Sequence, residues 1–254
     1  MITSLANSRV KQVRRLQTDR RYREREGAFV IEGSRWLSEL PSLPYLPKAV
    51  FYTEAWQRRP EHAAILQDLG AVAQIVSESV MEAMSDTESP SGVLAVLPMK
   101  TKPLPTQPTL LLILDQIRDP GNLGTMLRTA AAAGVEGILL SPGCVDPYNP
   151  KVVRSAMGAH LRLPLLQVNW TEISERSDGL SVWLAAADGA LPYTDVNWRT
   201  PSALIIGSEA HGAGDEASTL AGGTTYIPMY AETESLNAAM AAGIMLFEAV
   251  RQRR

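Results

Sequence analysis

The 254-residue chain has one cysteine, Cys144, which excludes an internal disulfide framework and any cysteine-rich zinc site. Its three histidines, His62, His160 and His211, are scattered and argue against a histidine-based metal centre. Long apolar runs are also lacking. The most apolar stretch, 238–247, stops at Glu248, well short of the ~20 residues that cross a bilayer. The N-terminus carries no apolar core of the signal-peptide kind, and basic residues begin at Arg9. These absences together give the expectation of a cytoplasmic protein with neither a metal nor a membrane partner.

What is present is an uneven charge. The formal total of −3 conceals a first segment, 1–25, with eight Lys/Arg against two acids, a net of +6, while the other 229 residues carry −9. A basic segment on an acidic body suggests a polyanion contact. Arg9, Lys11, Arg14, Arg15, Arg21 and Arg23 are the candidate nucleic-acid contacts. Val10, Val13 and Leu16 recur at helical spacing beneath them, so one helix is expected, opened by Asn7 or Ser8 and stopped by Gly27.

Strand-like runs at 28–31, 49–52, 74–76 and 92–97 alternate with helical patterns at 35–40, 61–69 and 79–84. They define a small α/β domain over 1–98. Four prolines between 98 and 108 exclude a helix or a central strand there, so 99–108 reads as a semi-rigid linker. The alternation then restarts over 109–254. Strands are expected at 109–114, 137–140, 182–185, 203–206 and 225–228, and helices at 123–133, 150–157 and 235–251. The last helix places Leu236, Met240, Ile244 and Phe247 along one stripe, and its small residues allow close packing within the chain or against another subunit. Apolar strands alternating with helices predict an α/β domain with a mostly parallel sheet covered on both faces.

In such sheets ligands bind beyond the carboxyl ends of strands, and three segments follow strands here. The first runs from Asp115 to Arg128 and contains Asp119-Pro120-Gly121-Asn122-Leu123-Gly124. Read as a Pro-Gly turn and then a helix opened by Gly124, it offers free N–H groups to an anion, with the Arg128 guanidinium on the second turn. It is neither the dinucleotide fingerprint nor a Walker loop, which argues against a nucleotide-binding enzyme. The second segment is Gly207-Ser208-Glu209 with Gly212; Gly207 permits close approach to the backbone, and Glu209 could bind a substrate group or hold a loop. In this loop His211 reads as a loop residue, not a base. The third is Ile227-Pro228-Met229 leading to Ser235-Leu236-Asn237, with Ser235 as the expected helix cap and Asn237 inside the first turn.

In this order the three segments resemble the motifs of the SpoU/TrmH family of RNA 2′-O-ribose methyltransferases, within the SPOUT superfamily. The stretch from Lys151 to Gly158 is similar to a further family segment, and residues 1–98 resemble the small RNA-binding domain that often precedes the catalytic one. The resemblance implies a catalytic domain tied in a trefoil knot, S-adenosylmethionine held by Gly207, Ile227, Met229 and Leu236, and a homodimer joined through the knot region and the last helix. It also implies an RNA substrate, ribosomal RNA rather than tRNA. Arg128 is then the residue that stabilises the attacking hydroxyl, with Asn122, Glu209, Ser235 and Asn237 completing the catalytic set. The alternative is a non-catalytic RNA-binding module that retains the knotted fold; its mark would be failure to bind the cofactor.

Overall fold

The structure, a computed structural model, describes residues 1–37, 39–40, 43–208, 212–230 and 235–254, with the backbone alone at 63, 64, 68 and 71. By contact the chain divides into two units, Met1–Lys100 with Tyr148–Arg154, and Thr101–Pro147 with Ser155–Arg254.

In the first unit α1 (Ser8–Thr18) and α2 (Arg20–Glu26) lead into β1 (Ala28–Glu32). Next come α3 (Ser34–Leu37), β2 (Ala49–Tyr52), α4 (Glu54–Gln57), α5 (His62–Leu69), β3 (Ala73–Ile75), α6 (Glu78–Met84) and β4 (Val93–Pro98). The sheet order is β1-β4-β2-β3; β4 runs antiparallel to both neighbours and β2 pairs parallel with β3. Val10, Val13 and Leu16 of α1 pack with Val80, Met81 and Met84 of α6 over Phe51 and Leu94. The apolar stripe of the basic segment is therefore its buried face.

Two details differ from expectation. The basic segment forms two helices, because Asp19 adopts an extended backbone (φ −117°, ψ 106°). Its N–H donates to the Arg15 carbonyl at 2.9 Å, and its carboxylate accepts from the Tyr22 N–H at 3.0 Å, so one residue ends α1 and caps α2. The Tyr22 N–H bond holds the Asp19 carboxyl below its ordinary range. Arg23, expected to face RNA, is 3% exposed and donates to the Leu16 carbonyl at 2.7 Å. It satisfies the open end of α1, so it is a structural residue and not a surface contact.

The second unit begins with β5 (Leu110–Leu114), α7 (Pro120–Ala132) and β6 (Gly137–Leu140), followed in the chain by α8 (Pro150–Ala156) and α9 (Ala159–Arg162). Then come β7 (Leu165–Gln167), α10 (Trp170–Arg176), β8 (Ser181–Ala185), β9 (Leu191–Pro192), β10 (Ser202–Ile206), α11 (Asp215–Leu220), β11 (Gly223–Tyr226) and α12 (Ala238–Arg253). Seven strands form one sheet in the order β7-β6-β5-β10-β8-β11-β9, with every pairing parallel. The central strands β5, β6 and β10 are buried along their whole length, as their unbroken apolar sequences require. The Pro-rich segment is not detached from this unit. From Thr101 it is packed down: Thr101 Oγ1 accepts the Leu165 N–H at 2.7 Å, and Leu104 joins the core of Leu111, Ile113 and Ile205. Short elements escape the periodicity argument, namely β7, β9, α9, α10 and α11. Only α10 carries a readable signal, the reciprocal Asn169/Glu172 capping box.

The segment between β9 and β10 is fastened to the last turn of α12. The Trp198 N–H donates to Gln252 Oε1 at 3.0 Å, and Gln252 Nε2 donates to the Val196 carbonyl at 3.0 Å. Arg253 Nε donates to the Trp198 carbonyl at 2.7 Å. Trp198 itself is fully buried. Among the described residues no helix is long and apolar enough to cross a membrane.

Candidate active site

Asp119 opens α7 with its carboxylate accepting from the Asn122 N–H at 2.7 Å, and Pro120 takes the first helical position, where a missing N–H costs nothing. The expected Pro-Gly turn is therefore already helix. Asn122 sits in the first turn, and Arg128 falls on the third turn instead of the second. Gly121, Thr125 and Arg128 lie on the solvent side of α7, whereas Leu123, Met126 and Leu127 are buried. Arg128 is exposed and makes no hydrogen bond or ion pair with a described residue.

The third segment also caps differently. The cap of α12 is Asn237, not Ser235. Its backbone is non-helical (φ −52°, ψ 135°), and its Oδ1 accepts from the Ala239 and Met240 N–H groups at 3.0 and 3.2 Å. Asn is as good a cap as Ser, and here it is the one with small residues immediately after it. Its Nδ2 donates to Asn122 Oδ1 at 3.0 Å, so the amides at the starts of α7 and α12 are joined across 115 residues of chain. The two helices pack closely along their length; a methyl at Gly243 would touch Thr129 Cγ2 at 3.5 Å. The buried face of α12 is Ala238, Ala239, Ala242, Met245, Leu246 and Ala249. The expected apolar stripe points elsewhere: Met240 is 61% and Phe247 49% exposed, and Leu236 precedes the helix. Small side chains let α12 approach α7, and that contact turns the larger ones outward.

A cleft of about 360 Å³ opens at the carboxyl ends of β8, β10 and β11. Gly207, Ser208 and Gly212 form one wall, Ile227 and Met229 another, and Ser235, Leu236 and Asn237 the mouth of α12. Ile206, Ala238, Ala241 and Met245 line it further. Ser208 and Gly212 exchange backbone hydrogen bonds at 2.8 and 2.9 Å. Gly207 has no space for a side chain: a Cβ there would stand 2.5 Å from Ala213 N and from Gly212 C. The second and third segments thus meet in one cleft, and the first reaches its mouth through Asn122. Glu209 and His211 lie outside the described residues.

Ala185, Ala186 and Ala187 complete the lining and are absent from the sequence expectations. Their signal is present, however. An all-alanine end to a strand before Asp188-Gly189 leaves open space and a tight turn where larger residues would fill it. The turn brings Gly189 against the backbone of Thr225, 2.6 Å from where its Cβ would lie.

A seven-stranded parallel sheet with a mixed apolar and polar cleft beyond its strand ends defines an α/β enzyme-type domain whose ligand sits among loops, and the same chain carries a second α/β unit rich in surface arginine. The SpoU rRNA methylase family model matches residues 109–247, and the model of an MRM3-like substrate-binding domain matches residues 7–95. The chain belongs to the SpoU rRNA methylase family. It is 34% identical to the 23S rRNA (guanosine(2553)-2′-O)-methyltransferase of Bacillus subtilis, covering 97% of each chain. Among solved structures it resembles an AdoMet-bound rRNA methyltransferase from Sinorhizobium meliloti, with a TM-score of 0.87 and 31% identity over 98% of this chain and 97% of that one. It also resembles the SpoU methyltransferase AviRb of Streptomyces viridochromogenes in complex with AdoMet, with a TM-score of 0.88 and 28% identity over 97% and 98%.

Proposed function

We propose that this chain transfers a methyl group from S-adenosylmethionine to a ribose 2′-OH of ribosomal RNA. The observation that carries the reading is the cleft itself, where two motif loops distant in sequence and the start of α12 enclose one space at the strand ends. Its residues fit the cofactor. Ile206, Ile227, Leu236 and Met245 suit the flat apolar faces of a purine, while Ser208 and exposed backbone groups suit its polar edges. Side-chain-free Gly207 lets a ligand meet the main chain directly. Gly207, Ile227, Met229 and Leu236 are accordingly the cofactor-binding set.

The bound cofactor supplies an electrophilic methyl group on a sulfonium that leaves readily. The chain's residues must bring an unreactive hydroxyl into line and stabilise the charge that builds on its oxygen. Arg128 carries the one charge assigned to that task. A guanidinium stays protonated at neutral pH, so it serves as an electrostatic clamp on the developing alkoxide and the neighbouring phosphate, not as a base. Asn122 and Asn237, held to each other at 3.0 Å, orient the sugar at the cleft mouth with Ser235 beside them. Glu209 completes the set.

Residues 1–98 hold the RNA, 99–108 connect, and 109–254 catalyse. On α1 and α2, Arg9, Lys11, Arg14 and Arg21 are exposed without an ion pair to a described residue, which leaves them for phosphates. Arg15 is partly engaged, with Asp19 at 3.6 Å and stacked on Tyr22 at 4.6 Å. The trefoil knot of the family is part of this reading, and the exposed Met240 and Phe247 support a homodimer through α12. A cytoplasmic location goes with a ribosomal RNA substrate.

The test is Arg128→Ala. Methyl transfer should fall on the order of 100-fold or more, while calorimetry shows S-adenosylmethionine binding unchanged. Near-normal turnover refutes the role of Arg128. Absence of cofactor binding in the unmodified chain would favour the non-catalytic RNA-binding module.

A further inference from the structure

Asp115 follows β5 directly and is 0% exposed; it heads the first segment but stands outside the residues given a role in the site. Its Oδ1 accepts from the Ser141 hydroxyl at 2.7 Å, at the end of β6. Its Oδ2 accepts from the Gly214 N–H at 2.8 Å, at the exit of the loop that follows β10. Its own N–H donates to the Ile206 carbonyl at 2.9 Å. A single buried carboxylate therefore ties together the carboxyl ends of three adjacent strands, β6, β5 and β10. Burying such a group is costly unless both oxygens are satisfied, and here both are.

The two oxygens act on the two sides of the site. Gly214 lies two residues beyond Gly212, which forms the cleft wall and is paired with Ser208. The bond to Oδ2 thus fixes the outgoing limb of the loop against which Gly207 packs. On the other side, the Ser141 oxygen that donates to Oδ1 also accepts from the Gln116 N–H at 3.1 Å. Gln116 holds φ +53°, a conformation uncommon for a residue with a side chain. From Gln116 the chain runs directly to Asp119 and the start of α7, which carries Asn122 and Arg128. The strained turn is held by the same network that holds the cleft wall.

We propose that Asp115 is a positioning residue that, through Gly214, sets Gly212 and Gly207 for the cofactor and registers them against the start of α7. This rests on the functional reading above. Asp115 touches neither cofactor nor RNA; it acts through Gly214 and Ser141. The hydrogen-bond pattern makes a specific distinction. In Asp115→Asn, the amide oxygen can still accept from Gly214, and the amide N–H can donate to Ser141 Oγ, whose hydroxyl then turns to the Pro142 carbonyl at 3.2 Å. In Asp115→Ala both links vanish.

The experiment titrates S-adenosylmethionine calorimetrically into the full chain and both variants, and follows hydrogen exchange at the 212–214 amides in the same samples. Asp115→Ala should bind the cofactor about tenfold more weakly or worse, as expected for losing hydrogen bonds to a charged acceptor, with faster exchange at 212–214. Asp115→Asn should stay within about threefold of the parent. A folded Asp115→Ala that binds and exchanges like the parent overturns the proposal, and so does equal weakening by both substitutions. If Asp115→Ala does not fold, Asp115→Ser, too short to reach Gly214 and Ser141 together, takes its place with the same two readouts: faster exchange at 212–214 with weaker cofactor binding supports the clamp, and parent-like behaviour overturns it. An unmodified chain that binds no S-adenosylmethionine defeats the functional reading instead, and the exchange comparison still decides the clamp.

Discussion

The two units use opposite materials. On α1 and α2 the surface consists of long charged side chains over a buried apolar stripe, and exposed ones such as Arg9, Lys11, Arg14 and Arg21 are replaceable without disturbing their neighbours. In the cleft alanine, glycine and exposed main chain stand between larger apolar side chains such as Ile206, Ile227 and Leu236, and at Gly207 the backbone segments meet with no room to spare. A side-chain surface degrades by degrees as charges are removed. A backbone surface fails when an atom is added. The difference suits the ligands proposed for them: a phosphate chain is met by long-range charge, whereas a compact cofactor is met by shape.

That contrast breaks most sharply at Gly207. Gly207→Ala adds a methyl where backbone atoms lie 2.5 Å away. Cofactor affinity by calorimetry should fall about 100-fold or more, because the neighbouring loop must move, while RNA affinity stays unchanged. A near-native affinity would mean the loops are looser than their contacts imply.

The basic face should respond more gently. Lys11 and Arg14 are neighbours on one helix face and are exposed. Replacing both by alanine should weaken RNA binding about tenfold at low salt and flatten its logarithmic salt dependence by about 1.5, with cofactor affinity untouched. An unchanged salt slope would remove α1 from the RNA contact. Arg23 serves as the internal control, since it caps α1 and its loss should appear in thermal unfolding.

Asn237 gives the smallest and most discriminating effect, because it belongs to both kinds of surface. As a cap it holds α12, and as a donor it holds Asn122. Asn237→Ala should cost about 1 kcal/mol of stability through the cap and reduce methyl transfer as well. Asn237→Asp keeps the cap acceptor but loses the donor toward Asn122, so unfolding should hardly move while turnover drops. Equal behaviour of the two variants would reduce Asn237 to a cap.

Legibility in the sequence followed the same division. The strands 49–52 and 137–140 are read to the residue, because apolar runs bounded by turn residues have one reasonable burial. The parallel sheet and the cleft at its carboxyl ends follow from alternation alone. The start of α7 was misplaced by three residues because Pro-Gly reads as a turn, although proline at a first helical position after Asp119 is equally favoured. The cap of α12 was misplaced because Ser235 and Asn237 are both good caps, and only the path of the chain chooses between them.

The amino-acid sequence by itself determined the two-part α/β organisation, the basic segment and the three motif loops, since periodicity, charge and short motifs are local properties. Only the tertiary structure decided that Arg23 turns inward, that α12 presents its small face to α7, and that Asp115 ties three strand ends together. Each of these depends on which partner stands opposite a side chain. Partners such as Asn122 and Asn237 or Asp115 and Gly214 lie about a hundred residues apart, a separation at which no local pattern in the chain specifies who meets whom.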